Sequence, residues 1–272
     1  MTNEPHPRRR VEPEPADRTG VDWEEMAAWW DERQGNEGDL WHRTLIDPTL
    51  FSVLGTVKGQ HVLDLACGNG YIARKLARSG ARVTGVDAST PIVERARARE
   101  EREPMGIVYR VADAAHLDGL GDDSFDVVVC NMALMDVPDA EGALREATRV
   151  LRPGGRLVAS LSHPCFDVSV SSSGWVVERM GFETTVFRKV GRYRRVFEHW
   201  IPWRREAGQE WWTPAYHRPL SWYFRALRRA GFVVSAFEEP EPTEEFMAED
   251  PQGAWIEQIP LQCVIEAYKF KP

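Results

Sequence analysis

His61-Val-Leu-Asp-Leu-Ala-Cys-Gly-Asn-Gly-Tyr71 is an apolar run that breaks into Asp64, Ala66, Gly68 and Gly70, with a helix-like segment following at once. A second apolar run, Val83-Thr-Gly-Val-Asp87, ends in an acid 19 residues after Gly68. Together they have the layout of a nucleotide-binding strand–turn–helix–strand unit. Small residues at the turn let the backbone approach a ligand closely and leave amides free at the start of the helix. A carboxylate at the tip of the second strand can accept both hydroxyl hydrogens of a ribose.

Working outward, apolar runs and amphipathic stretches alternate. Strands are expected at His61–Leu65, Arg82–Val86, Ile107–Ala112, Asp126–Asn131 and Arg156–Ser160. Helices are expected at Tyr71–Ser79, from Pro91 to about Glu103, and from Asp139 to Val150. Pro91 suits a first helical turn, and the valine run 127–129 implies a strand buried on both faces. Short links between alternating strands and helices predict an α/β fold, a doubly wound Rossmann-like parallel sheet. Pro153-Gly-Gly155 reads as a turn before the fifth strand. Ser221–Ala230 reads as an amphipathic helix stopped by Gly231, and Phe232–Phe237 and Leu261–Phe270 as final strands.

The flanks differ in character. Residues 1–20 are rich in Pro, Arg and Glu and read as a disordered tail. Residues 21–58 carry Trp23, Met26, Ala27 and Trp30 at helical spacing, with a second short helix at Pro48–Leu54, and read as a helical lid on a core at 59–162. Residues 163–219 break the alternation and read as an inserted cap, with a hairpin of Phe182–Val190 and Arg192–Trp200 about Gly191. Residues 220–272 complete the core.

The chain has 272 residues, 42 acids against 34 bases, and a formal charge of −8. That balance argues against a general nucleic-acid binder, which shows a basic face. Its four cysteines are scattered without a CxxC pair, so they read as reduced thiols of a cytoplasmic protein, and no metal-ligand cluster is evident. No run reaches the length of a membrane span, and the start lacks an apolar signal core. Of 11 tryptophans, four lie between Trp23 and Trp41 and six between Trp175 and Trp222. Such density implies an aromatic acceptor pocket, the core of the cap, or the face of a homodimer.

The pattern Asp64-x-Ala66-x-Gly68-x-Gly70 resembles motif I of the class I S-adenosylmethionine (SAM) dependent methyltransferases, with Ala66 replacing the usual first glycine. Asp87, Asp113-Ala114, Phe125-Asp126 and Leu151-Arg-Pro-Gly-Gly-Arg-Leu157 follow in that family's order. The likeness covers roughly residues 59–162 and is nearest the type 11 and ubiquinone–menaquinone group acting on small molecules. It implies a seven-stranded sheet whose last strand runs antiparallel beside the fifth, SAM as cofactor and S-adenosylhomocysteine (SAH) as product. It also implies ligand positions: Asp64 toward the ammonium, the Gly68-Asn69-Gly70 turn against the cofactor, Asp87-Ala88 at the ribose, Asp113-Ala114 at the adenine, Asn131 beside the methionine moiety, and Trp30 from the N-terminal segment. A nicotinamide-binding unit fits less well. Ala73 stands where its third glycine belongs, and Asp64 would repel a pyrophosphate.

Methyl transfer from a sulfonium is an in-line displacement, so the protein supplies alignment and exclusion of water. A base is needed only where the nucleophile must lose a proton. His163, His217, Asp136 and Tyr216 are the candidates. Cys165 reads as a packed thiol, since the Pro-Cys of cytosine-methylating RNA enzymes is replaced by Cys130-Asn-Met-Ala. The Asn-Pro-Pro-aromatic signature of nucleic-acid amine methylation is absent as well. Arg188, Lys189, Arg192, Arg194, Arg195, Arg204 and Arg205 face only Glu198, which suits an anionic acceptor or a solvated hairpin face. The expected function is O- or N-methylation of a small molecule, aromatic or anionic. C-methylation of a quinone-like acceptor and a non-catalytic SAM- or SAH-binding role are the alternatives.

Overall fold

The computed structural model describes residues 23–180, 183–204 and 210–270. The tail expected at 1–20 lies outside them. A seven-stranded sheet carries the molecule. Its strands are β1 (His61–Leu65), β2 (Arg82–Asp87), β3 (Val108–Val111), β4 (Phe125–Asn131), β5 (Leu151–Ser162), β10 (Phe232–Glu238) and β11 (Gln262–Lys269), in the order β10-β11-β5-β4-β1-β2-β3. β11 runs antiparallel to both β5 and β10, and every other neighbouring pair is parallel. The chain leaves β1 toward β2 on one side and returns through β4 on the other. That reversal opens a crevice at the carboxyl ends of β1 and β4, where open α/β sheets collect ligands.

Helices cover both faces. α2 (Asp47–Leu54), α3 (Tyr71–Arg78) and α4 (Thr90–Arg102) pack on one side through Leu50, Leu54, Ile72, Leu76 and Val93. α5 (Ala140–Val150) and α6 (Leu220–Arg229) pack on the other through Leu144, Ala147, Tyr223 and Leu227. Val127 and Val129 point to one cluster and Val128 and Cys130 to the other, so β4 is apolar on both faces. Each fully buried side chain of this size contributes roughly 1.5–3 kcal/mol, which makes the sheet the rigid part of the molecule.

Three elements have no counterpart in the sequence pattern. A π-helical turn, His42–Ile46, joins α1 (Trp23–Gln34) to α2. Two short helices, α7 (Glu244–Glu249, capped by the Thr243 hydroxyl) and α8 (Gly253–Ile256), bring Phe246 and Ile256 against Leu45. The Pro153-Gly-Gly155 turn is a bulge inside β5: the register with β4 jumps from Phe125–Leu151 to Val127–Arg156.

The expected hairpin about Gly191 does not form. β6 (Ser173–Met180) pairs with β7 (Glu183–Val190), and β8 (Phe197–Arg204) pairs with β9 (Glu210–His217). Both predicted strands alternate well enough, but each finds its partner on the far side. Trp175 lies opposite Arg188, whose guanidinium sits 4.9 Å from the Trp175 ring and pairs with Asp167. Gly191 donates to Ser172 and closes the β6–β7 ladder instead of turning between β7 and β8. Among the described residues no helix is long and apolar enough to cross a membrane.

Candidate active site

A cavity of about 410 Å³ opens at the carboxyl ends of β1, β2 and β4. Asp64, Ala66, Gly68, Asn69, Asp87, Ala88, Asp113, Ala114, Asn131 and Asp136 all line it, and Trp30 and Trp23 of α1 and Pro214 of β9 face it from above. Gly70 does not line it. Its φ is +78°, and a Cβ there would fall into the Tyr109 hydroxyl, so this glycine is required by packing behind the turn.

The turn after β1 is built by its own side chains. Ala66 holds φ +58°, a left-handed conformation that costs a non-glycine residue roughly 1 kcal/mol. Asn69 is buried: its amide donates to Asp31 (3.0 Å) and to the Gly35 carbonyl (2.9 Å), while its oxygen accepts from the Tyr71 amide (3.2 Å). It therefore bolts the glycine turn to α1 rather than offering its side chain to a ligand. Arg74 reinforces the joint by donating to the Asn69 and Gly35 carbonyls, and Arg95 and Arg99 of α4 hold Asp31.

The acids occupy distinct positions. Asp87 accepts from the Gly68 amide through Oδ2 and from the Ser89 amide through Oδ1, both at 2.9 Å. Each oxygen keeps a lone pair for a further donor. Burial pushes its pKa up, and those amides pull against it. Asp64 is buried, with Oδ2 lacking a partner, and burial with the nearby Asp87 charge raises its pKa to about 7. Asp113 stands at the exposed rim, its Oδ1 accepting from the Ala115 amide.

At the opposite wall, Asn131 donates to the Tyr71 hydroxyl (2.6 Å), which donates to Asp47, itself paired with Lys75. The Asn131 oxygen accepts from Ser160, so a continuous network fixes its amide. The loop after β4 begins at Met132, φ +50°, and carries Asp136. Asp136 Oδ1 is shut off from solvent without a hydrogen-bond partner, and burial raises the carboxyl pKa to about 8 against the pull of Arg218. Arg218, at the end of β9, spends its own donors on the Leu134, Val137 and Pro138 carbonyls and so clamps this loop.

The remaining candidate bases lie elsewhere. His163 is buried behind β5, with Nε2 on Glu239 (2.8 Å) and Nδ1 accepting from the Cys165 amide (3.1 Å). Both nitrogens are occupied by structure, and burial lowers its pKa. His217 contacts the Tyr193 carbonyl (2.8 Å) and, with Tyr216, lines a separate cavity of about 100 Å³ beneath the cap. The Tyr216 amide donates to the Met135 carbonyl, stitching β9 to the loop after β4. Cys165 lies half-buried, 3.7 Å from the Tyr193 hydroxyl. Arg188, Arg192, Arg194 and Arg195 do not line the main cavity, and the side chains of Arg204 and Arg205 lie outside the described residues.

Sequence reasoning missed Tyr71, Gln34 and His42, all in the cavity wall. His42 accompanies an acid three residues earlier, Asp39, whose Oδ1 accepts from Nδ1 at 2.7 Å. That Asp-x-x-His spacing was the available signal. Over the cavity Trp30 meets Trp203 of β8 edge-on at 5.3 Å, and Trp23, Trp29 and Trp211 close the cluster.

Residues 63–159 match a family of methyltransferase domains. A ubiquinone biosynthesis O-methyltransferase of Coxiella burnetii is 33% identical over 152 residues, which is 52% of this chain and 62% of that protein. The Xanthomonas oryzae protein of the same name is 33% identical over 132 residues, 48% of this chain and 55% of its own length. The chain therefore spans less than two thirds of these curated relatives. The crystal structure of an S-adenosylmethionine dependent methyltransferase from Mesorhizobium loti is 30% identical, with a TM-score of 0.67 over 81% of this chain and 96% of that one. A Listeria monocytogenes structure shares the fold at 23% identity and a TM-score of 0.64.

Proposed function

This chain belongs to the SAM-dependent methyltransferase family, and we propose that it methylates an oxygen or nitrogen of a small acceptor held between the loop after β4 and the tryptophan cluster. The cavity's own chemistry suits the cofactor. Asp87 has lone pairs left for a sugar diol, Asp64 keeps an unpartnered buried oxygen for a cation, and Asp113 at the rim suits an amino-purine edge. Bound SAM supplies an activated methyl group on a sulfonium, which asks alignment and dryness of its site.

The observation that carries the reading is Asp136. It presents a shielded carboxyl oxygen without a hydrogen-bond partner in the same cavity as Asp64 and Asp87, on a loop clamped by Arg218. A pKa raised to about 8 makes it a stronger base than a solvated carboxylate. As the nucleophile's proton acceptor it turns a phenol into a better nucleophile, or takes the proton that a methylated amine must shed. His163, His217 and Tyr216 then serve as structural residues.

Charge narrows the acceptor. The described cavity wall holds four acids and neither lysine nor arginine, so it offers an anionic acceptor no lysine or arginine and suits an uncharged or basic one better. Arg188 of the basic segment is already taken by Asp167. That the similar Coxiella protein is an O-methyltransferase supports attack by oxygen. The test is transfer of labelled methyl from SAM across phenols, quinols, amines and carboxylic acids, beside calorimetry with SAH. Turnover confined to acids, or SAH binding with no transfer to any class, overturns the proposal.

A further inference from the structure

Four carboxylates in one cavity leave an imbalance. The amino-acid tail of SAM and SAH carries a carboxylate, and an anion shielded beside Asp64 and Asp87 without a counter-charge is costly. Cations near the wall are committed elsewhere: Lys75 to Asp47, Arg74 to the Asn69 and Gly35 carbonyls, Arg218 to the loop after β4. Among the described lining residues, His42 is the one group able to carry positive charge.

His42 is prepared for that task. It opens the π-helical turn, a rare geometry that occurs often at functional sites. Its amide and Nδ1 both donate to Asp39 Oδ1, at 3.1 and 2.7 Å. Burial works against ionisation of Asp39, yet contact with His42 and Arg33 holds that carboxyl at about 2, so it is ionised at neutral pH. An ionised acid accepting from Nδ1 fixes the ring's orientation and leaves Nε2 to face the cavity. Nε2 has no hydrogen-bond partner among the described residues, and the ring lines the cavity, set edge-on to Trp30 (6.4 Å) and Tyr71 (5.6 Å). The indole nitrogen of Trp30 lies 3.8 Å from where a Cβ on Gly68 would stand, so a second N–H sits over the glycine turn.

We propose that His42, oriented by Asp39 as its positioning residue, binds the carboxylate of the cofactor's amino-acid tail, with the Trp30 indole N–H as second donor. The assignment rests on the reading that this cavity holds SAM. It explains why the end of α1, which leads into the π-helical turn, is tied so firmly to the glycine turn through Asn69, Asp31 and Gly35: the His42 ring must be held in register with the strand tips.

The experiment is titration calorimetry of the full chain with two probes, SAH and its decarboxylated analogue S-adenosyl-3-thiopropylamine, which differ only in the carboxylate. His42→Ala should weaken SAH roughly 10- to 100-fold, as expected for a lost charged hydrogen bond, and leave the analogue unchanged. Asp39→Asn should lower the same discrimination by a smaller factor. His42→Gln retains a donor and guards against a folding defect, and it should recover part of the SAH affinity. A His42→Ala protein that loses both probes equally overturns the assignment. So does one that keeps SAH affinity and only turns over slowly, since His42 would then serve the acceptor. A wild-type chain that binds neither probe overturns the reading of the cavity itself, and this assignment with it.

Discussion

The seven-stranded sheet and the two hairpins above it are built on opposite plans. β4 buries Val127, Val128, Val129 and Cys130 completely between helices on both faces. Among the described residues β6–β7 and β8–β9 are two-stranded ribbons, and Val176, Val177 and Phe187 remain more than a third exposed. A two-stranded ribbon is marginal alone and needs packing from outside. Here that comes from tryptophans: Trp203 of β8 against Trp23, Trp29 and Trp30 of α1, and Trp175 of β6 against Trp255. The sheet thus sets Asp64 and Asp87 on a rigid frame, while the opposite side of the cavity is enclosed by large rings on two-stranded supports. On the proposed reading, the first side takes the cofactor and the second the acceptor.

That contrast can be broken at several points. The largest effect is expected at Asp136, where Asp136→Asn should lower turnover by roughly 10²- to 10⁴-fold while SAH affinity changes little. In the wild type, kcat/KM for the acceptor should fall as pH drops and the carboxylate takes up its proton. The apparent pKa should lie at or below about 8, since a bound sulfonium favours the charged form. The Asn variant should lose that limb, and a profile unchanged by the substitution would exclude Asp136 as the base.

Next comes Asp87→Ala, which removes two charged acceptor sites and orphans the Gly68 and Ser89 amides. SAH affinity should fall roughly 10²- to 10⁴-fold by calorimetry, at about 1.5–3 kcal/mol for each of two hydrogen bonds to a charged group. Gly70→Ala probes the frame rather than the ligand. A left-handed φ and a clash with the buried Tyr109 ring should cost about 2–3 kcal/mol, read from denaturant midpoints.

Trp203→Ala tests the supports of the cap. Losing its ring contacts and the bond to Thr213 should cost about 1–3 kcal/mol and lower Tm by several degrees. The acceptor's KM should rise by more than the dissociation constant of SAH. Equal effects on both would erase the division between a cofactor side and an acceptor side. The smallest change belongs to Arg194→Ala combined with Arg195→Ala. Both side chains are exposed and neither lines the cavity, so the acceptor's KM should stay within about twofold. A tenfold rise would restore the case for an anionic acceptor.

Legibility in the sequence followed the same division. Strand ends in the sheet could be read to within a residue or two except at β5, which starts at Leu151 rather than Arg156, because β1, β2 and β4 are continuous apolar runs closed by Asp64, Asp87 and Asn131. Those are local signals, written where the chain itself must turn. The pairing of the hairpins was misread because alternation in Glu183–Val190 does not say which neighbour supplies the partner. That choice was made by Trp175 and Asp167 meeting Arg188. His42 escaped notice for a related reason: its position in the cavity depends on α1 crossing over the glycine turn, a contact made by residues 38 positions apart.

What the sequence determined alone is the α/β order, the sheet's central strands, the family of the glycine turn and the acids at the strand tips. Each of these depends on short-range periodicity and on which residues tolerate a tight turn. Only the tertiary structure decided that His163 and His217 are spent on Glu239 and Tyr193, that Asp136 keeps a shielded oxygen free, and that His42 faces the same space. The physical reason is that a side chain's chemistry depends on what surrounds it. Desolvation and hydrogen-bond partners are supplied by segments far away in the chain, so no local pattern records them.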